Sequence, residues 1–172
     1  MKSIIIIPSR MASTRFPGKP LVKIDGIPMI QRVWEQAVAS KVGDVYVACS
    51  ENEIYELIIE KGGKAILTDP ELPSGTDRIH SAIQNINNLS SVECIINLQG
   101  DMPLINPNHI KKVMEPIKKN YPIGTLATTL KKNELLNENV TKIKVEWKNK
   151  DIGKAIEFFR LKKNIDKNTY HH

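Results

Sequence analysis

The sequence is poor in cysteine, in arginine and in long apolar runs, and each scarcity excludes a class of protein or of binding site. Only two cysteines, Cys49 and Cys94, occur in 172 residues, too few for a disulfide framework and in keeping with a reducing compartment. The longest aliphatic run, Ile4 to Ile7, is far shorter than the roughly 20 apolar residues of a membrane-spanning helix. No small-residue cleavage site follows that run, which argues against a secretory signal. We therefore expect a cytoplasmic protein without a membrane partner.

Arginine supplies only five of the 25 basic residues, and most of the remaining charge lies late in the chain. Fourteen lysines fall between Lys111 and Lys167. A Lys-rich segment of this kind can bind nucleic acid or an anionic membrane. No aromatic interleaving or reader motif accompanies the charge, so we interpret it as a solvated surface and expect no nucleic-acid partner.

Predicted strands and helices alternate along an otherwise ordinary globular composition, 41% hydrophobic and 26% charged. Lys2 to Pro8 contains four isoleucines and is typical of a central parallel strand, while Pro28 to Ser40 has apolar residues at helical spacing. The other predicted strands are Val45 to Cys49, Ala65 to Leu67, Glu93 to Leu98, Gly124 to Leu130, Ile143 to Trp147 and Lys154 to Phe159. The other predicted helices are Glu53 to Lys61, Ser74 to Asn87 and, at least as far as Pro116, Pro107 to Lys119.

This alternation predicts an α/β fold with a largely parallel sheet. In such sheets ligands bind beyond the carboxyl ends of the strands. The candidate functional residues are therefore those that follow Ile7, Cys49, Leu67 and Leu98.

A basic loop follows the first predicted strand, from Ser9 to Pro20. It carries Arg10, Arg15 and Lys19, and its backbone N–H groups together with these cations can surround a polyphosphate. It is not a Walker A loop, because Lys19 is not followed by Ser or Thr and the earlier glycine is absent. The alternative is a flexible basic loop without a ligand.

Two further motifs occupy other predicted strand ends. In the run Ser74 to Arg78, Ser74 or Thr76 can cap a helix and Gly75 permits close backbone approach, so the helix N-terminus can attract an anion. Asp101 follows a buried strand and Gly100, a position that suits a Mg²⁺ ligand shared with substrate phosphates. Taken singly, the first motif is more often a plain helix cap and the second more often a structural turn. Together with the basic loop they predict a nucleoside-triphosphate site that uses Mg²⁺.

Five blocks of sequence closely resemble the 3-deoxy-manno-octulosonate (Kdo) cytidylyltransferase family. They are Ile7 to Arg10, Ala12 to Leu21, Gly26 to Ile30, Ser74 to Arg78 and Asn97 to Ile105. Their order and separations match as well, and the resemblance runs from residue 3 to about residue 160. It implies the nucleotide-diphospho-sugar transferase fold, a Rossmann-like three-layer arrangement with a mixed, mostly parallel sheet.

The resemblance also implies a reaction and a CTP site. CTP and Kdo give CMP-Kdo and pyrophosphate, with Mg²⁺, for lipopolysaccharide biosynthesis. Arg10, Arg15 and Lys19 would hold the triphosphate, and Ser74 and Arg78 would lie near the cytosine. Attack on a polyanion needs charge neutralisation and positioning more than covalent help, which fits a site built from cations.

The other implied residues concern the sugar and the metal. Gln99 would face the sugar, Asp101 would bind Mg²⁺, and Arg160 would approach the Kdo carboxylate. Arg10, Lys19 and Asp101 would be the catalytic residues. Met102 stands where the family usually has Glu, which puts the affinity for Mg²⁺ in doubt.

The end of the chain is the larger departure from the family. We expect a CTP-binding domain over residues 1–160, incomplete at its C-terminus, and a polar tail over residues 161–172. Family members continue further and are homodimers, and the missing part would carry a second metal-binding Asp and sugar contacts. Two hypotheses follow, a working cytidylyltransferase and a truncated, inactive remnant that at most binds CTP. A third is a cytidylyltransferase for another 2-keto sugar acid such as sialic acid, although that family's N-terminal loop differs from Thr14 to Lys19.

Overall fold

Four consecutive isoleucines form the middle of the first strand, β1 (Ser3–Ser9), and all four are buried. The computed structural model describes residues 1–12, 16–87, 89–162 and 167–172 of the chain. It divides into two compact units, Met1–Lys111 and Lys112–His172. Within the described residues, no helix has both the length and the apolar character that crossing a membrane requires.

The first unit is built around β1. Its other strands are β2 (Lys23–Ile24), β3 (Ile27–Pro28), β4 (Asp44–Cys49), β5 (Lys64–Leu67) and β6 (Cys94–Asn97). Its helices are α1 (Met29–Ala39), α2 (Asn52–Glu60), α3 (Gly75–Ile83) and, at the division between the units, α4 (Pro107–Lys112). β5, β4, β1 and β6 form a parallel sheet in that order, while β2 and β3 pair as a small hairpin.

Helices cover both faces of the parallel sheet. On one face Ile4 and Ile6 pack against Ile79 and Ala82 of α3. Successive strand side chains point to opposite faces, so Ile5 and Ile7 belong to the other face, where α1 packs against β1. Burial on both faces is the reason for the uninterrupted isoleucine run, and it confirms the predicted α/β fold with a parallel central sheet.

The second unit contains a separate antiparallel sheet. Its elements are α5 (Glu115–Lys118), β7 (Thr128–Thr129), β8 (Lys142–Trp147), β9 (Gly153–Phe159) and β10 (Thr169–His171). The strand order is β7, β10, β8, β9, and each neighbouring pair is antiparallel. The strands predicted over 143–147 and 154–159 are confirmed and form a hairpin, with the Lys148 N–H donating to the Ile152 carbonyl at 3.0 Å.

Several boundaries differ from the sequence prediction. The helix expected over 107–119 is two helices, and Pro116 stands in the first turn of the second. The strand expected over 124–130 is reduced to Thr128–Thr129, the residues that pair with β10. The expected polar tail contains β10, which pairs with β7 and β8 and whose Thr169 is buried. A strand of three residues is too short to show an alternation of apolar and polar residues in the sequence. The formation of β10 depends instead on pairing with strands that are distant in sequence.

Lys142, at the start of β8, is fully buried. Its Nζ donates to the carbonyls of Asn137 at 2.7 Å, Val140 at 3.1 Å and Arg160 at 2.7 Å. These three acceptors match the three donors of an ammonium group. The side chain therefore ties the loop before β8 to the end of β9.

We expect Lys142→Met to lower the free energy of unfolding by about 1–3 kcal/mol, because three backbone carbonyls lose their donor while the desolvation cost of the buried ammonium is relieved. Urea denaturation measures the loss. Lys154→Met, on an exposed site of β9, is the matched control and should change stability by less than about 0.5 kcal/mol. Equal midpoints for the two variants would contradict the assigned role of Lys142.

Candidate active site

An ion pair between Lys19 and Asp101 joins two of the predicted motifs. The Lys19 Nζ lies 2.7 Å from the Asp101 Oδ2, across 82 positions of sequence. Both side chains remain partly open to solvent, with relative exposures of 37% and 52%. A pair with this exposure contributes little to stability, so its interest lies in the chemistry that it brings together.

A tight turn places Lys19. Gly18 has a left-handed φ of 73°, and its N–H donates to the Met11 carbonyl at 3.0 Å. The Leu21 N–H then donates to the Gly18 carbonyl at 3.0 Å, which closes a single 3₁₀ turn over Lys19–Leu21. Glycine is required here because an L side chain disfavours this φ. The basic loop is therefore closed at its base, between Met11 and Gly18.

Close packing against β1 places Asp101. The Leu98 N–H donates to the Ile6 carbonyl at 3.1 Å, extending the pairing of β6 with β1. The backbone then turns at Gly100, where a Cβ would lie only 2.8 Å from the Pro8 carbonyl oxygen. No side chain fits at that distance without a backbone shift. Asp101 follows directly, at the carboxyl end of the sheet.

The Ser74 motif meets β1 from another direction. The Ser74 Oγ accepts from the Asp77 N–H at 3.2 Å, so Ser74, rather than Thr76, is the N-cap of α3. A Cβ at Gly75 would lie 3.2 Å from the Pro8 Cγ, so this glycine also approaches β1 closely. The structure thus brings the three predicted motifs together around the end of β1.

Arg78 occupies a different environment from the one its predicted role suggests. The side chain is 1% exposed, and its guanidinium hydrogen-bonds the Thr68 Oγ1 and the carbonyls of Asp69, at 3.2 Å, and Pro70, at 3.5 Å. Burial lowers the pKa of Arg78, and the carboxylate of Glu51 partly opposes that effect. In this structure Arg78 fastens the loop after β5 to α3, and a contact with cytosine stays a prediction.

The positions of the other predicted site residues do not indicate a specific role. Arg10 directly follows β1 and is exposed, while Arg15 lies outside the described residues. Gln99 is exposed, and its Nε2 donates to the Asn97 Oδ1 at 2.8 Å. Arg160 is exposed at the end of β9 in the second unit. Their predicted contacts with substrate stay predictions.

Sequence reasoning gave no role to Glu51, which the structure connects to the basic loop. Its Oε1 accepts from the Met11 N–H at 3.0 Å. Glu51 lies just beyond β4, at a strand end that the sequence pattern had marked for inspection. The position of Glu51 after a predicted strand was therefore a signal of function in the sequence, although the sequence did not reveal Met11 as its hydrogen-bond partner.

The Asp101 carboxylate suits a metal ion that is bound partly by the protein and partly by the substrate. No cluster of three or more His, Cys, Asp or Glu side chains that could hold a metal occurs among residues 1–12, 16–87, 89–162 and 167–172. Mg²⁺, however, is usually bound through one or two carboxylates together with substrate phosphates, and Asp101 provides such a carboxylate. The neighbouring Met102, 43% exposed, has a thioether that is a poor ligand for this cation.

The two cysteines lack the character of nucleophiles. Burial is the main reason that the pKa of the Cys49 thiol is raised to about 12, with a further contribution from the charge of Glu51. Burial also raises the pKa of Cys94. Since the thiolate is the nucleophilic form, neither group suits covalent catalysis near neutral pH.

Three comparisons relate the chain to known proteins. The sequence model of the cytidylyltransferase family matches residues 4–167. A 3-deoxy-manno-octulosonate cytidylyltransferase of Paramagnetospirillum magneticum is 38% identical over 98% of this chain and 70% of its own length. The enzyme of the same name from Parvibaculum lavamentivorans is 42% identical over 91% of this chain and 62% of its own.

A solved structure agrees with the sequence relatives. The structure of CMP:2-keto-3-deoxy-manno-octonic acid synthetase complexed with CTP has a TM-score of 0.82 and 31% identity, covering 100% of this chain and 72% of that one. The chain therefore spans about 60 to 70% of the length of the proteins that it matches.

We expect Gly100→Ala to destabilise the protein by about 1–3 kcal/mol, because the added methyl forces the turn away from the Pro8 carbonyl. Thermal unfolding measures the effect. Gln99→Ala, at the exposed neighbouring position, is the control and should leave the melting temperature almost unchanged. A Gly100→Ala variant as stable as Gln99→Ala would refute the close packing.

We expect thiol reagents to modify Cys49 only after unfolding. With its pKa near 12 in the folded state, raising the pH from 7 to 9 adds almost no thiolate, whereas an unfolded cysteine with a pKa of about 8.5 becomes far more reactive. Mass-spectrometric mapping of labelled peptides, with and without denaturant, checks this. Fast labelling of folded Cys49 that accelerates between pH 7 and 9 would contradict it.

Proposed function

Because the chain belongs to the cytidylyltransferase family, we propose that it transfers the cytidylyl group of CTP to Kdo and releases pyrophosphate. The observation that carries the proposal is the Lys19–Asp101 pair at the carboxyl end of β1, within the region that the family model matches. The names of the sequence relatives support Kdo as the acceptor, and the CTP complex of the structural relative supports CTP as the donor.

The basic loop is the proposed triphosphate site. Arg10 and Lys19 flank the segment that the Met11–Gly18 hydrogen bond closes. The hydrogen bond therefore places both cations at the same end of the loop. Arg15 belongs to the same loop and is proposed to contribute a third. Phosphoryl chemistry is accelerated chiefly by positioning and by neutralisation of the charge that develops on the leaving group. Arg10 and Lys19 are the proposed groups for that task.

Asp101 is the proposed ligand of Mg²⁺. The cation, when bound together with CTP, would neutralise phosphate charge and orient the α-phosphate. The Lys19 ammonium compensates the Asp101 carboxylate at 2.7 Å. Each partner of this exposed pair can exchange the other for a substrate or a cation at small cost. We therefore propose that both members of the pair serve the triphosphate.

The acceptor requires a second anion site. We propose Arg160 for the Kdo carboxylate, because the planar guanidinium forms two parallel hydrogen bonds to a carboxylate. Gln99, which follows the strand end beside Asp101, is proposed to contact the sugar, and Ser74 and Arg78 to lie near the cytosine. We also propose that the working enzyme is a cytoplasmic homodimer that serves lipopolysaccharide biosynthesis.

The decisive experiment measures pyrophosphate release with CTP, Kdo and Mg²⁺. Asp101→Ala should reduce the rate by at least about a hundredfold, and Asp151→Ala, an exposed Asp in the second unit, is the matched control that should retain it. Sialic acid replaces Kdo in a parallel reaction and should give no release. Preference for sialic acid would identify a different 2-keto sugar acid as the substrate.

The same assay separates the enzyme from an inactive remnant. If pyrophosphate is not released but CTP still raises the melting temperature, the chain binds the nucleotide without turning it over. If CTP neither reacts nor stabilises the protein, the proposed triphosphate site is wrong. Kdo-dependent release that Asp101→Ala abolishes supports the full proposal.

A further inference from the structure

We propose that Glu51 is a positioning residue that holds the triphosphate loop in its binding conformation. The inference rests on the proposed function, because the loop in question is the one assigned to CTP. Glu51 is remote in sequence from that loop, 40 positions after Met11. Two features of its surroundings lead to this assignment, namely its hydrogen bond and the arrangement of its side chain at the start of α2. The charges near it show why a carboxylate is favourable at this position.

The hydrogen bond of Glu51 acts at the base of the loop. Its Oε1 accepts the Met11 N–H at 3.0 Å, while the Met11 carbonyl accepts the Gly18 N–H at 3.0 Å. Met11 is thus held through both of its backbone polar groups. Arg10 lies one residue before this closure and Lys19 one residue after it. A shift of Met11 would therefore displace both proposed phosphate-binding cations.

The side chain of Glu51 is not used to cap its own helix. Glu51 is the N-cap residue of α2, with an extended backbone, and it makes no side-chain capping hydrogen bond. Asp, Asn, Ser and Thr are preferred at such a position, so glutamate is a poor choice for helix stability alone. The longer side chain reaches the loop after β1 instead. Its length, rather than its charge alone, is what the contact requires.

Opposite charges surround this carboxylate. Glu51 raises the pKa of the buried Arg78 guanidinium, against the larger effect of burial, while Arg10 lowers it. Two guanidinium groups within electrostatic range repel one another, and a carboxylate beside them reduces that repulsion. The Glu51 Oε2 is itself buried and has no hydrogen-bond partner among the described residues. The charge of the half-buried Glu51 therefore offsets part of the repulsion between Arg10 and Arg78, whereas its hold on Met11 comes from the hydrogen bond.

Glu51→Asp and Glu51→Gln separate the reach of the side chain from its charge. Asp keeps the charge and is a better N-cap, but it is one methylene too short for Met11. Gln keeps the reach and the accepting oxygen but loses the charge. Glu53→Asp, an exposed position in the first turn of the same helix, is the matched control. Because Asp suits the cap, Glu51→Asp is expected to fold.

The first measurement is hydrogen exchange of the amides in residues 9–21, without nucleotide. We expect Glu51→Asp to accelerate exchange at Met11 and Gly18 at least about tenfold with no loss of melting temperature, and Glu51→Gln and Glu53→Asp to stay within about threefold of the parent. Unchanged exchange in Glu51→Asp, or equal acceleration in Glu51→Gln, would overturn the proposal.

The second measurement is the dissociation constant of CTP with Mg²⁺ in the same variants. We expect Glu51→Asp to weaken binding about tenfold, and Glu51→Gln and Glu53→Asp to change it by less than about threefold. If the parent chain does not bind CTP, the proposed function fails, whereas the exchange data still decide whether Glu51 holds the loop. If CTP binds equally to all variants, the loop position does not matter for the nucleotide and the inference fails.

Discussion

The crowding of backbone around the end of β1 is the constraint on which the rest of the site depends. Gly100 approaches the Pro8 carbonyl and Gly75 approaches the Pro8 ring, each within a distance that leaves little or no room for a side chain. β1 itself is immobilised by isoleucines buried on both faces of the sheet. Three separate loops are therefore positioned by the same rigid strand end, and their polar groups lie near one another. In this way a sheet with an apolar interior can carry a chemical site at its edge.

Electrostatics at this edge follow from the backbone arrangement. The Lys19–Asp101 pair is too exposed to hold the loops in place, so the loops must hold the pair. The cations of the site also differ in freedom. Arg10 is exposed, whereas Arg78 is enclosed and bound to loop carbonyls. The proposed site therefore combines one enclosed cation, Arg78, with two solvent-accessible ones, Arg10 and Lys19.

Much of the fold and part of the site could be predicted because the relevant signals are local. The isoleucine run, the Ser74 cap and the glycine before Asp101 each express a rule that operates within a few residues. The buried environment of Arg78 was not foreseen, since a charged residue in a motif suggests a ligand whether it faces solvent or the interior. Glu51 and Lys142 form hydrogen bonds with backbone groups that are distant in sequence. β10 is defined by its pairing with other strands. Non-local hydrogen bonds of this kind leave no period in the sequence.

The position of β10 bears on the order in which the protein is assembled. During synthesis, β5, β4, β1 and β6 are all available once Asn97 has emerged, so the parallel sheet can form early. The antiparallel sheet cannot close in the same way, because β10 lies between β7 and β8 but is made after β7, β8 and β9. Until Thr169–His171 arrive, β8 is paired only with β9 and presents an open edge on its other side. Until then the unpaired N–H and C=O groups of that edge are open to pairing with another strand.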